Sequence, residues 1–139
     1  MAFSASGAAY VFQHGAQGWQ QTAKLVASDP HDGANFGWAT SAEGDHVAIG
    51  AWRTNANSGS AYVFVHDGNQ GWTEQARLKA SDADVNDYFG DALSLSGDAL
   101  LVGSKGDDEQ GRYTGAAYVY RRAGAVWTEE VKLTASEAF

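Results

Sequence analysis

The chain contains no cysteine and a single proline, Pro30, among its 139 residues. The absence of cysteine excludes disulfide bonds and thiolate chemistry but leaves the redox compartment open. No stretch approaches the roughly 18 apolar residues of a membrane-spanning helix, so membrane insertion is not predicted. Residues 1–6 also lack the basic and apolar segments of a secretory signal peptide. These absences leave the location of the protein unknown.

Basic residues are also scarce, since nine Lys and Arg stand against 17 Asp and Glu and the formal net charge is −8. This acidic balance disfavours contact with nucleic-acid phosphates or an anionic membrane surface, so neither is predicted as a partner. The 17 glycines, together with many Ser, Asn and Asp residues, are typical of short strands joined by tight turns. With 44% hydrophobic and 12% aromatic residues the chain can form a packed core, which predicts one all-β domain.

An internal repeat is the most informative feature of the sequence. A hexapeptide that reads Gly-Ala/Ser-Ala-Tyr-Val-Phe/Tyr begins at Gly7, Gly59 and Gly115. Each copy is followed by a turn, a tryptophan and an alternating segment that ends in Leu-x-Ala-Ser. The separations between successive hexapeptides are 52 and 56 residues, and no linker interrupts the pattern. The chain is therefore predicted to be one repeat domain.

Two further motifs occur twice and complete the repeat. They are a Phe-Gly pair at residues 36–37 and 89–90 and a Gly-Asp turn at residues 44–45 and 97–98. Because both motifs precede the hexapeptide, the first copy of the hexapeptide belongs to an incomplete repeat. The predicted division is a half blade at 1–35 and two blades at 36–88 and 89–139.

Each full repeat offers four strand candidates, A to D. Strand A is predicted at 91–96, strand B at 99–102, strand C at 61–65 and strand D at 73–80. Strand B is entirely apolar, strand C is nearly so, and strand D alternates between apolar and polar residues. A four-stranded propeller blade has dry inner strands and a wet outer strand, whereas a β-sandwich more often alternates in every strand. The gradient therefore predicts antiparallel β-propeller blades, about two and a half of them in this chain.

Taken together, the Phe-Gly pair, the Gly-Asp turn, the hexapeptide and the Leu-x-Ala-Ser ending resemble FG-GAP repeats from Gly7 to Phe139. These repeats are the blades of integrin α-subunit propellers and of many bacterial surface or secreted proteins. The resemblance implies a β-propeller fold and an extracellular or cell-surface location. The chain departs from the family pattern at the Gly-Ala-Pro element, where it has residues 50–52 and 103–105 without proline. It does not specify a function, because propellers serve many unrelated activities.

Calcium is the one cofactor that the sequence leaves open. Integrin blades that bind calcium hold it between the Phe-Gly and Gly-Ala-Pro elements, but here the short turns at 43–45 and 96–98 offer too few oxygens. Asp82, Asp84 and Asn86 have the alternating spacing of a calcium loop, although the expected glycine and bidentate acid are missing. Asx-turns in a connection between blades are the favoured interpretation of these three residues, and calcium binding is the alternative.

Aromatic residues outside the repeat pattern suggest a ligand platform. The tryptophan after each hexapeptide recurs and is interpreted as a structural anchor, whereas Trp38 and Trp52 do not recur. Their counterparts in the next repeat are an aspartate and a lysine. Exposed aromatic rings can stack against sugars, so Trp38 and Trp52, with Tyr88 and Tyr113 nearby in the connections, are the predicted ligand-binding residues.

No motif of an enzyme is present, since the sequence has no nucleophile elbow, no phosphate loop and no histidine pair with zinc spacing. A propeller closes its sheet edges with a ring of about four to eight blades, and two and a half blades fall short of that. Either other copies of the chain or a missing part of a larger protein is expected to complete the ring. The predicted function is a non-catalytic module for protein association that self-assembles, and the alternative is a carbohydrate-binding propeller.

Overall fold

A computed structural model describes residues 6–69, 71–112 and 114–137. Its strands form three antiparallel sheets, and the prediction of an all-β fold is confirmed. The first sheet contains β1 (Ala9–Gly15) and β2 (Gly18–Leu25). The second contains β3 (Thr40–Glu43), β4 (His46–Ala51), β5 (Ser60–His66) and β6 (Trp72–Leu78). The third contains β7 (Phe89–Ser96), β8 (Ala99–Ser104), β9 (Ala116–Ala123) and β10 (Val126–Leu133). A single turn, α1 (Thr54–Asn57), lies between β4 and β5, and Asn55 and Ala56 within it have left-handed backbone angles.

The second and third sheets each consist of four strands that pair in chain order, which is the blade topology predicted from the sequence. The first sheet has only the C and D strands of a blade, and the described strands do not close a ring. Each A–B hairpin turns at a Gly-Asp pair, where Gly44 and Gly97 have φ of 59° and 57°. Glycine adopts this left-handed conformation without a steric penalty, so the turn motif follows from backbone geometry.

Backbone contacts between successive sheets explain the Phe-Gly motif and the first glycine of the hexapeptide. Gly59 forms a parallel bridge with Phe89, and Gly7 forms the same bridge with Phe36. A Cβ atom on Gly59 would overlap the carbonyl oxygen of Phe89, and one on Gly90 would overlap that of Ser60. Only glycine permits this approach, so the repeat signature records the contact between one blade and the next.

Two apolar clusters hold the three sheets together, one at each junction. At the second junction the second sheet contributes small and branched side chains such as Ala48, Val63 and Leu78. The third sheet packs large aromatic rings against them, among them Tyr118 and Tyr120. We call the first kind of surface the forward face of a sheet and the second kind its rear face. The first junction repeats the arrangement, because the rear face of the second sheet packs against the first sheet.

The burial of strand B depends on whether another sheet packs against it. All six residues of β4 are buried, as predicted for a strand that is covered on both faces. In β8 the equivalent of Ala48 is Leu101, and 41% of its surface is exposed. No sheet among the described residues covers the forward face of the third sheet. The expectation that strand B is covered on both faces therefore holds for β4 in the second sheet and is wrong for β8 in the third sheet.

Candidate binding surfaces

Polar contacts at each junction link the end of one blade to the next blade. Ser28, which follows β2, donates from its backbone N–H and its hydroxyl to the carboxylate of Glu74, at 2.9 Å each. Ser81, which follows β6, makes the same pair of contacts with Glu129, at 2.9 and 2.7 Å. The two contacts lie at the same positions of the repeat, so they are a recurring feature of the junction between blades.

An aspartate after each of these serines forms a second contact. The Tyr62 hydroxyl donates to Asp29 at 2.9 Å, and the Tyr118 hydroxyl donates to Asp82 at 2.7 Å. A cation at a fixed position of strand D also contacts the aspartate and lies over the tyrosine ring. That cation is Arg77 at the first junction and Lys132 at the second. Burial raises the pKa of Tyr62 to about 12 and raises that of Tyr118 further, so both hydroxyls keep their protons.

We call this set of contacts the junction clamp: a Ser-Asp pair at the end of one blade, with a glutamate, a tyrosine and a cation from the next. Sequence reasoning did not identify the junction clamp. The signal was available, because the serine, the tyrosine and the basic residue five positions after the tryptophan recur in register. Their pairing across blades depends on the stacking of sheets and could not be read from one repeat.

The outer sheets leave two apolar faces uncovered. On the forward face of the third sheet, Leu101, Val131 and Leu133 are 41%, 43% and 48% exposed. On the rear face of the first sheet, Tyr10 and Phe12 are 52% and 54% exposed. The equivalent faces of the other sheets are buried at the two junctions. Exposed apolar faces of this kind are candidate protein-interaction surfaces.

Three of the four predicted platform residues come together at the edge of the second junction. Trp38 precedes β3, Trp52 follows β4, and Tyr88 precedes β7. The ring centroids of Trp38 and Trp52 are 5.7 Å apart, and those of Trp52 and Tyr88 are 5.2 Å apart, all in edge-on contact. Trp38 is 58% exposed and the other two are half-buried. The fourth predicted residue, Tyr113, lies outside the described residues.

We call Trp38, Trp52 and Tyr88 the aromatic platform. The backbone at Tyr88 is strained, and hydrogen bonds hold it in position. Tyr88 has φ of 58°, which is rare for a bulky side chain, whereas its counterpart before the other Phe-Gly pair is Asn35, a residue that tolerates this conformation. The Tyr88 N–H donates to the carbonyl of Asn57, and the N–H of Asn86 donates to that of Ala56, at 2.8 and 3.2 Å. Ala56 and Asn57 also have positive φ. These bonds hold the strained connection in place and so fix the Tyr88 ring.

A lysine adds a positive charge to the aromatic platform. Lys105 Nζ lies 5.6 Å from the centroid of a Trp52 ring and 5.5 Å from that of Tyr88, and it forms an ion pair with Asp91 at 3.6 Å. Asp91 and Lys105 are the repeat counterparts of Trp38 and Trp52, so an ion pair in one blade replaces an aromatic pair in the other. The indole N–H of Trp52 is buried and has no acceptor among the described residues.

An acidic cavity of about 220 Å³ lies beside the second junction and includes two of the three predicted calcium residues, Asp82 and Asp84. Asp82 accepts from Lys132 at 2.6 Å, and Lys132 also contacts Asp107 at 2.8 Å. Burial alone would raise the pKa of Asp82, but the hydrogen bonds from Lys132 and Tyr118 outweigh burial and lower it. Burial also disfavours the charged form of Lys132, and its bonds to the surrounding carboxylates outweigh that effect and raise its pKa.

The third calcium residue is placed differently. The Asn86 side-chain oxygen accepts from the side-chain amide of Asn57 at 2.9 Å, and Asn86 does not line the acidic cavity. Within residues 6–69, 71–112 and 114–137, no three His, Cys, Asp or Glu side chains form a group that could hold a metal ion. Calcium binding by Asp82, Asp84 and Asn86 stays a prediction, and Lys132 is the cation that contacts the first of them.

Four-stranded antiparallel sheets, stacked through glycine contacts and repeated along the chain, define a β-propeller-type repeat module. A family model described as the FG-GAP repeat matches residues 19–64 and 72–120. The match covers more than half of the chain, so the protein belongs to the FG-GAP repeat family. No curated protein matches the sequence. Among the described residues no helix is long and apolar enough to cross a membrane.

Proposed function

We propose that this protein is a non-catalytic association module that binds protein through the uncovered faces of its outer blades and assembles with copies of itself. FG-GAP propellers are generally non-catalytic, and modules of this type often bind protein. The observation that carries the proposal is the pair of exposed apolar faces at opposite ends of the stack. Each face is a repeat copy of a surface that is buried inside the same molecule. Covering both faces would remove apolar side chains from water, which is the main driving force of association.

The test is the molar mass of the chain as a function of concentration, measured by analytical ultracentrifugation. We expect an oligomer that dissociates on dilution. Leu133→Lys should weaken association, because it places a charge in the apolar forward face. Val85→Lys is the matched control, since Val85 is exposed on a connection outside both faces. A folded chain that remains monomeric at every concentration would contradict self-assembly and would favour a module that awaits neighbouring blades of a larger protein.

Carbohydrate binding is a second candidate function, and the aromatic platform is the observation that favours it. Trp38 offers an exposed ring that packs edge-on against Trp52, and Trp52 in turn packs edge-on against Tyr88. Rings of this kind stack on the apolar face of a sugar, and Lys105 would favour sugars that carry a carboxylate. Tyr113, the fourth ligand-binding residue predicted from the sequence, is included in this proposal.

A glycan array tests this candidate. We expect Trp38→Ala to abolish any saccharide binding, because it removes the exposed ring of the platform. The matched control is Trp19→Ala, which removes a tryptophan that is exposed but lies in β2, away from the platform. Equal binding by the wild-type chain and Trp38→Ala would reject the platform as the site.

A further inference from the structure

The junction clamp has an open copy at each end of the molecule. All of its groups lie on the C and D strands or directly after them, and these are the strands that the first sheet possesses. The three groups that a blade presents to its predecessor are a tyrosine of strand C and a glutamate and a cation of strand D. On the rear face of the first sheet the corresponding residues are Tyr10, Gln21 and Lys24.

The geometry of this open copy matches the closed ones. Lys24 Nζ lies 5.9 Å from the centroid of the Tyr10 ring. The same distance from cation to tyrosine is 5.7 Å for Arg77 at the first junction and 5.6 Å for Lys132 at the second. At both closed junctions a carboxylate joins the pair. Lys24 and Tyr10 have no such carboxylate among the described residues.

The missing groups are present at the other end of the chain. Ser136 and Glu137 follow β10 at the positions that Ser81 and Asp82 hold after β6. Both side chains are exposed, and neither forms a hydrogen bond or an ion pair with a described residue. Glutamate is longer than aspartate by one methylene group but carries the same charge. Gln21 stands in place of the glutamate, and its amide carbonyl oxygen can accept one hydrogen bond from the serine where the carboxylate of the closed clamps accepts two.

We propose that a second copy of this chain docks head to tail, so that Ser136 and Glu137 of one copy complete the junction clamp with Gln21, Tyr10 and Lys24 of the next. The inference rests on the proposed self-assembly and specifies the register of the contact, that is, which residues of the two copies meet. The apolar residues of the forward face would then meet Tyr10 and Phe12, as Val63 and Leu78 meet Tyr118 and Tyr120 inside the molecule. Contacts are confined to the C and D strands, because the first sheet lacks A and B.

Charge complementarity selects this head-to-tail contact over a symmetric one. One end presents the ammonium group of Lys24 and the other presents the carboxylate of Glu137, and neither group has an oppositely charged partner among the described residues. A contact between two rear faces would bring Lys24 towards its own copy and leave Glu137 without a cation. Opposite charges across an interface set its register and reject alternatives by like-charge repulsion.

Charge reversal tests the inference. Lys24→Glu and Glu137→Lys should each lower the association constant by about tenfold or more, because each places like charges in the clamp. An equimolar mixture of the two variants should associate as tightly as the wild-type chain, since every contact between unlike variants pairs an acid with a base. The double variant Lys24→Glu/Glu137→Lys should also recover association. Lys79→Glu is the control, because Lys79 is exposed outside the open clamp.

The results separate the inference from the proposed function. If the wild-type chain self-associates but both single variants do so equally well, the head-to-tail register is overturned and self-assembly stands. If the variants weaken association and neither the mixture nor the double variant restores it, the register is also overturned, because complementation is its specific consequence. If the wild-type chain is monomeric at every concentration, self-assembly and its head-to-tail contact are both overturned, and the module that awaits neighbouring blades of a larger protein is favoured. Circular dichroism of each variant verifies that the sheets are retained.

Discussion

Leu78 and Leu133 occupy the same position of the repeat, yet 5% of the first and 48% of the second is exposed. The same contrast holds at the rear faces, where Tyr118 is fully buried and Tyr10 is 52% exposed. Both leucines lie in edge strands that pair with a single strand, whereas β9, which holds Tyr118, pairs with two strands and β1, which holds Tyr10, pairs with β2 alone. The difference between the leucines therefore comes from the neighbouring sheet and not from the residue, and Tyr10 lacks both that sheet and a neighbouring strand B. A repeat sequence specifies a surface, and the next blade decides whether that surface is a core or a site of interaction.

Substitution of the first glycine of a hexapeptide should change the stability of the fold more than any other substitution considered below. Gly59 and Gly115 both have positive φ, at 92° and 70°, and both begin a hexapeptide. At Gly59 a Cβ would overlap the Phe89 backbone, whereas at Gly115 its nearest neighbour would be the Lys105 carbonyl oxygen at 3.5 Å. Gly59→Ala should lower the free energy of unfolding by more than about 4 kcal/mol, and Gly115→Ala by about 1 kcal/mol from the backbone conformation alone.

Urea unfolding monitored by tryptophan fluorescence measures both values, at a concentration at which the chain is monomeric. Equal losses at the two glycines would mean that φ alone is responsible and that the contact with the next blade contributes nothing.

Leucine truncation compares the covered and uncovered forward faces directly. Leu78→Ala should cost about 3 kcal/mol, because it leaves a cavity at the second junction. Leu133→Ala should cost less than about 0.5 kcal/mol in the monomer, since the side chain is already in contact with water. If copies of the chain cover the forward face, the cost of Leu133→Ala in the same unfolding assay should rise with protein concentration.

Lysine replacement tests the junction clamp in its closed and open copies. Lys132→Met should cost about 2 kcal/mol at neutral pH, less than for a fully buried pair because Asp82 is partly exposed to solvent. Lys24→Met should cost less than about 0.5 kcal/mol in the monomer, because Lys24 pairs with no carboxylate within the described part of the chain. Thermal or urea unfolding at neutral pH gives both values, and similar costs at the two positions would contradict the clamp.

The pH dependence of Lys132→Met follows from Asp82. The folded-state pKa of Asp82 lies below its ordinary value, so the stabilisation by its ionised form is present above about pH 4 and is lost as the pH falls through the folded pKa. Lys132→Met removes part of the cause of that lowering. The difference in stability between wild type and variant should therefore shrink when unfolding is measured well below pH 4.

The smallest expected effect concerns the tyrosine hydroxyls. Tyr118→Phe removes a donor to Asp82 and Asp107, at 2.7 and 2.9 Å, and should cost about 1 kcal/mol. Tyr10→Phe should leave the stability of the monomer unchanged within experimental error, because its hydroxyl has no partner among the described residues. Differential scanning calorimetry of dilute samples can resolve the pair, and a loss for Tyr10→Phe as large as for Tyr118→Phe would be the contrary result.

Much of the fold was predictable because the repeat samples the same structure several times. The Phe-Gly pair, the Gly-Asp turn and the apolar strand B each imply a local geometry that is independent of the rest of the chain. The division at 1–35, 36–88 and 89–139 stays a prediction. The site was predictable only in part: Trp38 and Trp52 stood out because they break the repeat. Lys105 and the strained turn at Ala56 could not be assigned to the platform, because they reach it through tertiary contacts.

The four-stranded blade, its strand order and its tight turns could be inferred from the sequence, because they depend on backbone conformation and on alternation along single strands. The stacking of the sheets explains why glycine is required where blades approach, and it determines which copies of each surface are covered and brings Ser81, Asp82 and Lys132 together in one clamp. Such contacts join residues about 50 positions apart, and their strength depends on burial and on the charges of the neighbouring sheet.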